Sequence, residues 1–207
     1  MQDEAFQSEL ILNQPRNGYR FSEDSVRLTE FIQIEPHETL LDLCTGAGVI
    51  PILLYQQRPY HKAIGVELQR ELCHFAWENV LWNRLEQRVF IVHADVKGVT
   101  PSQLQKYTSP NCPRFFDVIS VNPPYYPLGA GRLSVNPQKR MARHEESLSL
   151  SELFYSCQQF AHDQTRLHLS HLIQRESEII RELQKSGFQR ITRRQVFGHL
   201  VLLEAMA

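Results

Sequence analysis

Asn122-Pro123-Pro124-Tyr125 closes a β-rich run, Phe116 to Val121. Proline has no N–H for a strand ladder and holds φ near about −65°. Two in succession give a rigid, extended exit. The Asn122 amide oxygen and the Pro123 carbonyl become fixed acceptors at the strand tip, with the Tyr125 ring beside them. Such a tip suits a planar amino group lying over an aromatic ring. Three acids, Asp42, Glu67 and Asp95, close or follow three other apolar runs. Asp42 leads directly into Cys44-Thr45-Gly46-Ala47-Gly48. The glycines let the backbone turn tightly and approach a ligand closely.

The loop has no lysine, so it is not a P-loop for phosphates. The third glycine of a dinucleotide fingerprint is also missing, its place taken by Pro51. An acid-lined glycine loop with no pyrophosphate cradle suits a cationic nucleoside cofactor, and S-adenosylmethionine is one. Asp42 would sit near its amino group, Glu67 on its ribose and Asp95 on its adenine amino group. Thr45, Gly46 and Gly48 complete the expected cofactor-binding set, with Asn122 at its edge. The scattered histidines and cysteines have no metal-ligand spacing, and no metal is expected.

Strands and helices must alternate to bring these residues to one edge. Short apolar runs predict strands at Thr39–Leu43, Ala63–Glu67, Val89–His93, Phe116–Val121 and Thr165–Leu172. Helical patterns lie between them, at Val49–Gln57, Arg70–Asn83, from Ser151 onward, and at Glu176–Ser186, with Gly187 as the stop. Ser22 caps an earlier helix whose apolar face is Leu28, Phe31 and Ile32. Phe188–Phe197 and Leu200–Glu204 read as a closing hairpin. The expected fold is therefore α/β: a Rossmann-like, mostly parallel sheet with an antiparallel C-terminal strand and helices on both faces. Ligands bind such sheets at the carboxyl ends of the strands. Residues 1–207 read as a single domain, with 1–35 an N-terminal cap segment and 36–207 the core.

Four stretches are less regular. Leu10–Leu12 reads as a short strand. Gly98 to Arg114 is polar, with room for one helical turn. Pro127 to Glu146 reads as a long loop. The strand Arg166-Leu167-His168-Leu169-Ser170-His171 alternates polar and apolar, so one face is expected to meet solvent or a second subunit.

Lys plus Arg (22) nearly balance Asp plus Glu (23), a net charge of −1, so a polyanion partner needs a local patch. Lys139, Arg140, Arg143 and His144 supply one after the Asn-Pro-Pro-Tyr tip. Arg190, Arg193 and Arg194 supply another on the penultimate strand. Four widely spaced cysteines without a CxxC pair predict reduced thiols and a cytoplasmic protein. No apolar run is long enough to span a bilayer.

The set Asp42 to Gly48, Glu67, Asp95 and Asn122 to Tyr125 resembles the class I S-adenosylmethionine-dependent methyltransferases that methylate amino groups. Gly18-Tyr19-Arg20-Phe21-Ser22-x-Asp24-Ser25 and Ala142-Arg143-His144-Glu145 resemble the bacterial tRNA(Val) adenine-N6 methyltransferases. That resemblance runs from about Asn17 to Glu146. It implies that Asn122, Pro123, Pro124 and Tyr125 are catalytic. Asn122 and the Pro123 carbonyl would accept from the target N6 amino group, and Tyr125 would stack on the base. It further implies an RNA partner, tRNA, with Lys139, Arg140, Arg143 and His144 on the substrate side. Protein glutamine methylation on release factors is the alternative reading, and a non-catalytic nucleic-acid-binding module of the same fold is another.

Overall fold

The computed structural model describes residues 10–108, 112–126, 136–143 and 148–207. Seven strands form one sheet: β1 (Thr39–Leu43), β2 (Lys62–Glu67), β3 (Val89–His93), β4 (Val118–Val121), β5 (Arg166–Leu172), β6 (Arg190–Phe197) and β7 (Leu200–Met206). Their order is β3-β2-β1-β4-β5-β7-β6. β1 pairs in parallel with β2 on one side and β4 on the other. The chain thus reverses its direction of travel across the sheet at β1, which opens a crevice above the β1 and β4 tips. β7 runs antiparallel to both β5 and β6. The mostly parallel sheet with an antiparallel C-terminal strand is as the sequence predicts.

Among the described residues seven α-helices flank it: α1 (Glu23–Phe31), α2 (Val49–Gln57), α3 (Arg70–Trp82), α4 (Pro101–Thr108), α5 (Pro137–Arg143), α6 (Leu150–Gln159) and α7 (Glu176–Lys185). One face of the sheet buries Leu28, Ile52 and Val80 from α1, α2 and α3. The other buries Leu104, Phe154 and Ile179 from α4, α6 and α7. Each such side chain contributes about 1.5–3 kcal/mol when fully withdrawn from water. β1 is buried on every residue, as a central parallel strand must be.

Five expectations need correction. β5 is not open on its polar face, because His168 and Ser170 are both 0% exposed. His168 Nε2 meets Glu204 Oε2 of β7 at 2.8 Å, and Ser170 bonds to the β4 tip. The alternation marks buried polar partners, not a solvent face. Leu10–Leu12 is not a strand: its backbone is taken up by side chains of α3. Ile11 N donates to Asn83 Oδ1 (3.1 Å) and Ile11 O accepts from Asn83 Nδ2 (2.6 Å). Asn79, one turn earlier, does the same for Asn13, at 2.6 and 2.9 Å. Gly98 to Arg114 holds the eight-residue α4, two turns and not one. The stretch read as a loop from Pro127 to Glu146 contains α5; residues 127–135 and 144–147 lie outside the described residues. α6 begins one residue before Ser151, capped by Ser149 in a reciprocal box with Glu152.

Candidate active site

The glycine loop holds its shape through left-handed backbone at Cys44 (φ 63°), Gly46 (φ 59°) and Gly48 (φ 76°). Gly48 is doubly constrained, since a Cβ there would stand 3.2 Å from Ala76 Cβ on α3. Glu67, ending β2, accepts from Gly46 N and from Gln69 N, both at 2.8 Å. One carboxylate thereby ties the β1 loop to the β2 tip. Burial raises the Glu67 pKa, against the two backbone N–H groups that favour its charge.

Asp42 lies behind the loop, 0% exposed. Ser120 Oγ on β4 donates to its Oδ1 at 2.5 Å. Its Oδ2 and the buried Thr45 Oγ1 have no hydrogen-bond partner. Burial pushes the Asp42 carboxyl up to about 7, with Glu67 adding repulsion against the help of Ser120 and of the nearby Thr45 hydroxyl. A buried, half-satisfied carboxylate next to a second carboxylate favours a cation. Cys44 is a packed thiol, its pKa raised well above the usual range by burial and by the neighbouring acids.

A cavity opens above the loop, walled by Glu67, Leu72, Asp95, Val96, Met141 and Leu148, with Asn122 and Pro124 at one end. Glu67, Asp95 and Asn122, chosen from sequence, therefore share one cavity. Asp42 and Thr45 do not line it but lie buried at the loop. Asp95 is exposed, and its Oδ1 accepts from Lys97 N at 2.9 Å. The mix of apolar walls and two acids suits an adenosine.

Pro123 and Tyr125 face the other way. With Tyr19, Arg20, Asp24 and His199 they line a second cavity, and Ala142 of α5 touches both. The Asn-Pro-Pro-Tyr segment is thus a partition between two chambers. Asn122 Oδ1 accepts from the Tyr125 hydroxyl (2.5 Å) and from Ser170 Oγ (2.7 Å), and its Nδ2 donates to Ser25 Oγ (2.9 Å). The Tyr125 ring is tilted against His171, centroids 5.0 Å apart. Burial raises the phenol's pKa well above the usual range, so it stays a donor. In this conformation Tyr125 is turned inward onto Asn122.

α5 brings Met141 to the first cavity, the one walled by Glu67 and Asp95. Gln138 holds the helix in position, accepting from Tyr19 N (2.7 Å) and donating to Glu71 Oε2 (2.8 Å). Lys139 is half-buried and Arg140 exposed on this helix. The Arg143 side chain and all of His144 lie outside the described residues. The β6 arginines do not form a common basic face. Arg193 is stacked over Phe31 at 4.4 Å and lies 3.4 Å from Glu204, and Arg194 is paired with Glu176 on the other side of the strand. Sequence reasoning did not assign Ser25, Ser120, Ser170 or Gln138 to the site. Ser170 was signalled by the polar alternation of β5. Ser25 closes the Gly18–Ser25 stretch that carries the family resemblance, whereas Ser120 and Gln138 have only their contacts to mark them.

Among the described residues no cluster of His, Cys, Asp or Glu is placed to hold a metal ion. Among them, too, no helix is long and apolar enough to cross a membrane.

No protein-family model matches the chain. A tRNA1(Val) (adenine(37)-N6)-methyltransferase of Proteus mirabilis is 31% identical over 143 residues, 68% of this chain and 52% of that protein. The same-named protein of Aliivibrio salmonicida is 26% identical over 140 residues, 68% of this chain and 54% of its own. The chain thus spans about half the length of these two relatives. The Dyadobacter fermentans protein of that name matches over more, 24% identical across 89% of this chain and 78% of its own. Among solved structures, an S-adenosylmethionine-dependent methyltransferase from Aquifex aeolicus superposes with a TM-score of 0.62 at 16% identity, covering 88% of this chain and 89% of that one. A ribosomal protein L11 methylase from Lactobacillus delbrueckii gives 0.60 at 14%, covering 88% and 76%. With the β3-β2-β1-β4-β5-β7-β6 sheet, the glycine loop and its acids, these matches show that the chain belongs to the class I S-adenosylmethionine-dependent methyltransferase fold, as a distant homologue of the tRNA1(Val) adenine-N6 methyltransferases.

Proposed function

We propose that the protein transfers a methyl group from S-adenosylmethionine to the N6 amino group of an adenine in tRNA. The observation that carries this reading is the partition: Asn122 and Pro124 face the acid-lined cavity, and Pro123 and Tyr125 face the second one. A residue pair on such a wall can hold an amino nitrogen on one side within reach of a methyl donor on the other.

Glu67 would hold the cofactor's ribose hydroxyls, Asp95 its adenine amino group, and Asp42 with Thr45 its amino-acid end. Bound there, the cofactor supplies an electrophilic methyl group. The chain's own residues do the rest. Asn122 Oδ1 and the Pro123 carbonyl accept the two N6 hydrogens. Two acceptors on one amino group draw its hydrogens into the plane of the bonds and leave the nitrogen lone pair aimed across the partition. Tyr125 turns from His171 to lie on the base, a contact worth about 1–3 kcal/mol. The effect is mainly positioning in a site shielded from water. Tyr19, Tyr126 and Arg20 offer further stacking and phosphate contacts at the second cavity. Lys139, Arg140, Arg143 and His144 are proposed to meet the RNA backbone, and an unstacked loop adenine enters such a pocket at low cost.

The reaction tests this. Protein, labelled S-adenosylmethionine and tRNA lacking the modification are incubated, and the RNA is digested to nucleosides. Label in N6-methyladenosine is the expected result. Unlabelled RNA, with label on a release-factor glutamine instead, replaces it with protein methylation.

A further inference from the structure

Asn122 is gripped by two hydroxyls that belong to no part of its own motif. Ser25 comes from the first turn of α1 and Ser170 from the middle of β5, 97 residues before and 48 after it in sequence. Both serines are buried, 5% and 0% exposed. A single bond to an amide leaves it free to swing about that contact. Two bonds at opposite ends, nitrogen to Ser25 and oxygen to Ser170, fix the plane. The end-for-end sense is set as well. The Tyr125 hydroxyl and Ser170 Oγ both donate to one and the same atom of the amide, as they can to its oxygen. A buried phenol also donates more readily than it accepts. The oxygen is therefore the atom turned toward Tyr125, whose ring lines the second cavity.

We propose that Ser25 and Ser170 are positioning residues that hold the Asn122 amide with its oxygen toward the target amino group. This rests on the reading of Asn122 as an acceptor for that group. The oxygen has two acceptor positions. Ser170 fills one whether or not substrate is bound. Tyr125 fills the other until the target amino hydrogen replaces it. Without Ser25 the buried nitrogen has lost its acceptor, and the amide gains by turning over. Turned over, it presents N–H groups to an amino group that needs an acceptor.

The test has two arms, so that the positioning claim and the methyltransferase reading fail separately. In the first, the Asn122 side-chain amide is observed by NMR in protein labelled with 15N-asparagine and assigned by its disappearance in Asn122→Ala. Ser25→Ala and Ser170→Ala should each shift this pair, and Ser25→Ala should speed its exchange with water about tenfold, the factor carried by one hydrogen bond. Ser25→Thr, which keeps the hydroxyl, should restore both. In the second arm, methyl transfer to unmodified tRNA is measured. Each alanine variant should lower kcat about tenfold while KM for tRNA and cofactor affinity stay within about twofold, again the worth of one bond. An Asn122 amide indifferent to both serines overturns the proposal. So does a variant whose melting temperature falls while kcat holds, because a purely structural role does that. If wild-type protein labels no tRNA, the methyltransferase reading falls. The amide spectrum still decides whether the serines hold Asn122.

Discussion

Asp42 places a carboxyl with no exposure to water behind the glycine loop, with one oxygen on Ser120 and the other unpartnered. Its pKa rises from 3.8 to about 7, chiefly through burial. The unfolded chain ionises this group more easily than the folded one does. Its burial therefore costs nothing below pH 3.8, costs more as pH rises, and costs its full amount above about 7. The full amount is about 4 kcal/mol at 1.36 kcal/mol per tenfold, an upper bound because relaxation and water entry reduce it. Asp42→Asn keeps an oxygen for Ser120 and removes the charge. Its stability relative to wild type should therefore improve by about 2–3 kcal/mol between pH 5 and pH 8. Urea denaturation of both proteins without cofactor at the two pH values gives this difference. Groups that do not interact with Asp42, the buried histidines among them, cancel. The same variant should bind S-adenosylmethionine more weakly and lose the tightening of wild-type affinity as pH rises through about 7. A stability difference that does not change with pH would refute the reasoning, because Asp42 would then not be held protonated by its surroundings.

Three further outcomes are expected. Gly65→Ala puts a Cβ 2.9 Å from Thr45 Oγ1 and 3.0 Å from Ile91 Cδ1, so it should cost about 1–3 kcal/mol by denaturant titration and weaken cofactor binding through the displaced Thr45. Asn79→Ala breaks bonds to Asn13 and to the Ala47 carbonyl together, and should cost about 2–3 kcal/mol while exposing the segment around Asn13 to protease. Tyr125→Phe keeps the ring and frees Asn122 of its internal donor, so KM for tRNA should change by less than about threefold, whereas Tyr125→Ala should lose about 1–3 kcal/mol of binding. Equal damage from both would mean that the hydroxyl, not the ring, is what the substrate uses.

The strands and the edge they share could be read directly from sequence, because β1 to β4 are short apolar runs with Asp42, Glu67, Asp95 and Asn122 at or within two residues of their ends. Burial on both faces leaves parallel strands no other composition. β5 was misread for the complementary reason. A polar residue in a strand reports only that it needs a partner, and the partners of His168 and Ser170, Glu204 and Asn122, are 36 and 48 residues away. The same limit hid the asparagine contacts of α3. Asn79 and Asn83 one turn apart satisfy an extended segment as well as a neighbouring strand would, and only the structure shows which does so. α5 was missed because Pro137 and the charged residues after it have no apolar stripe. Its anchor is polar, through Gln138.

The most direct test of the central claim compares wild type with Asn122→Ala in two measurements on the same samples: binding of S-adenosylmethionine, and methyl transfer from it to adenine N6 in unmodified tRNA. The account predicts that wild type does both, and that Asn122→Ala still binds cofactor within a few-fold but transfers at least about a hundredfold more slowly, the loss expected when an acceptor that orients the reacting group is removed. Equal transfer by both proteins, or no cofactor binding by wild type, would contradict it.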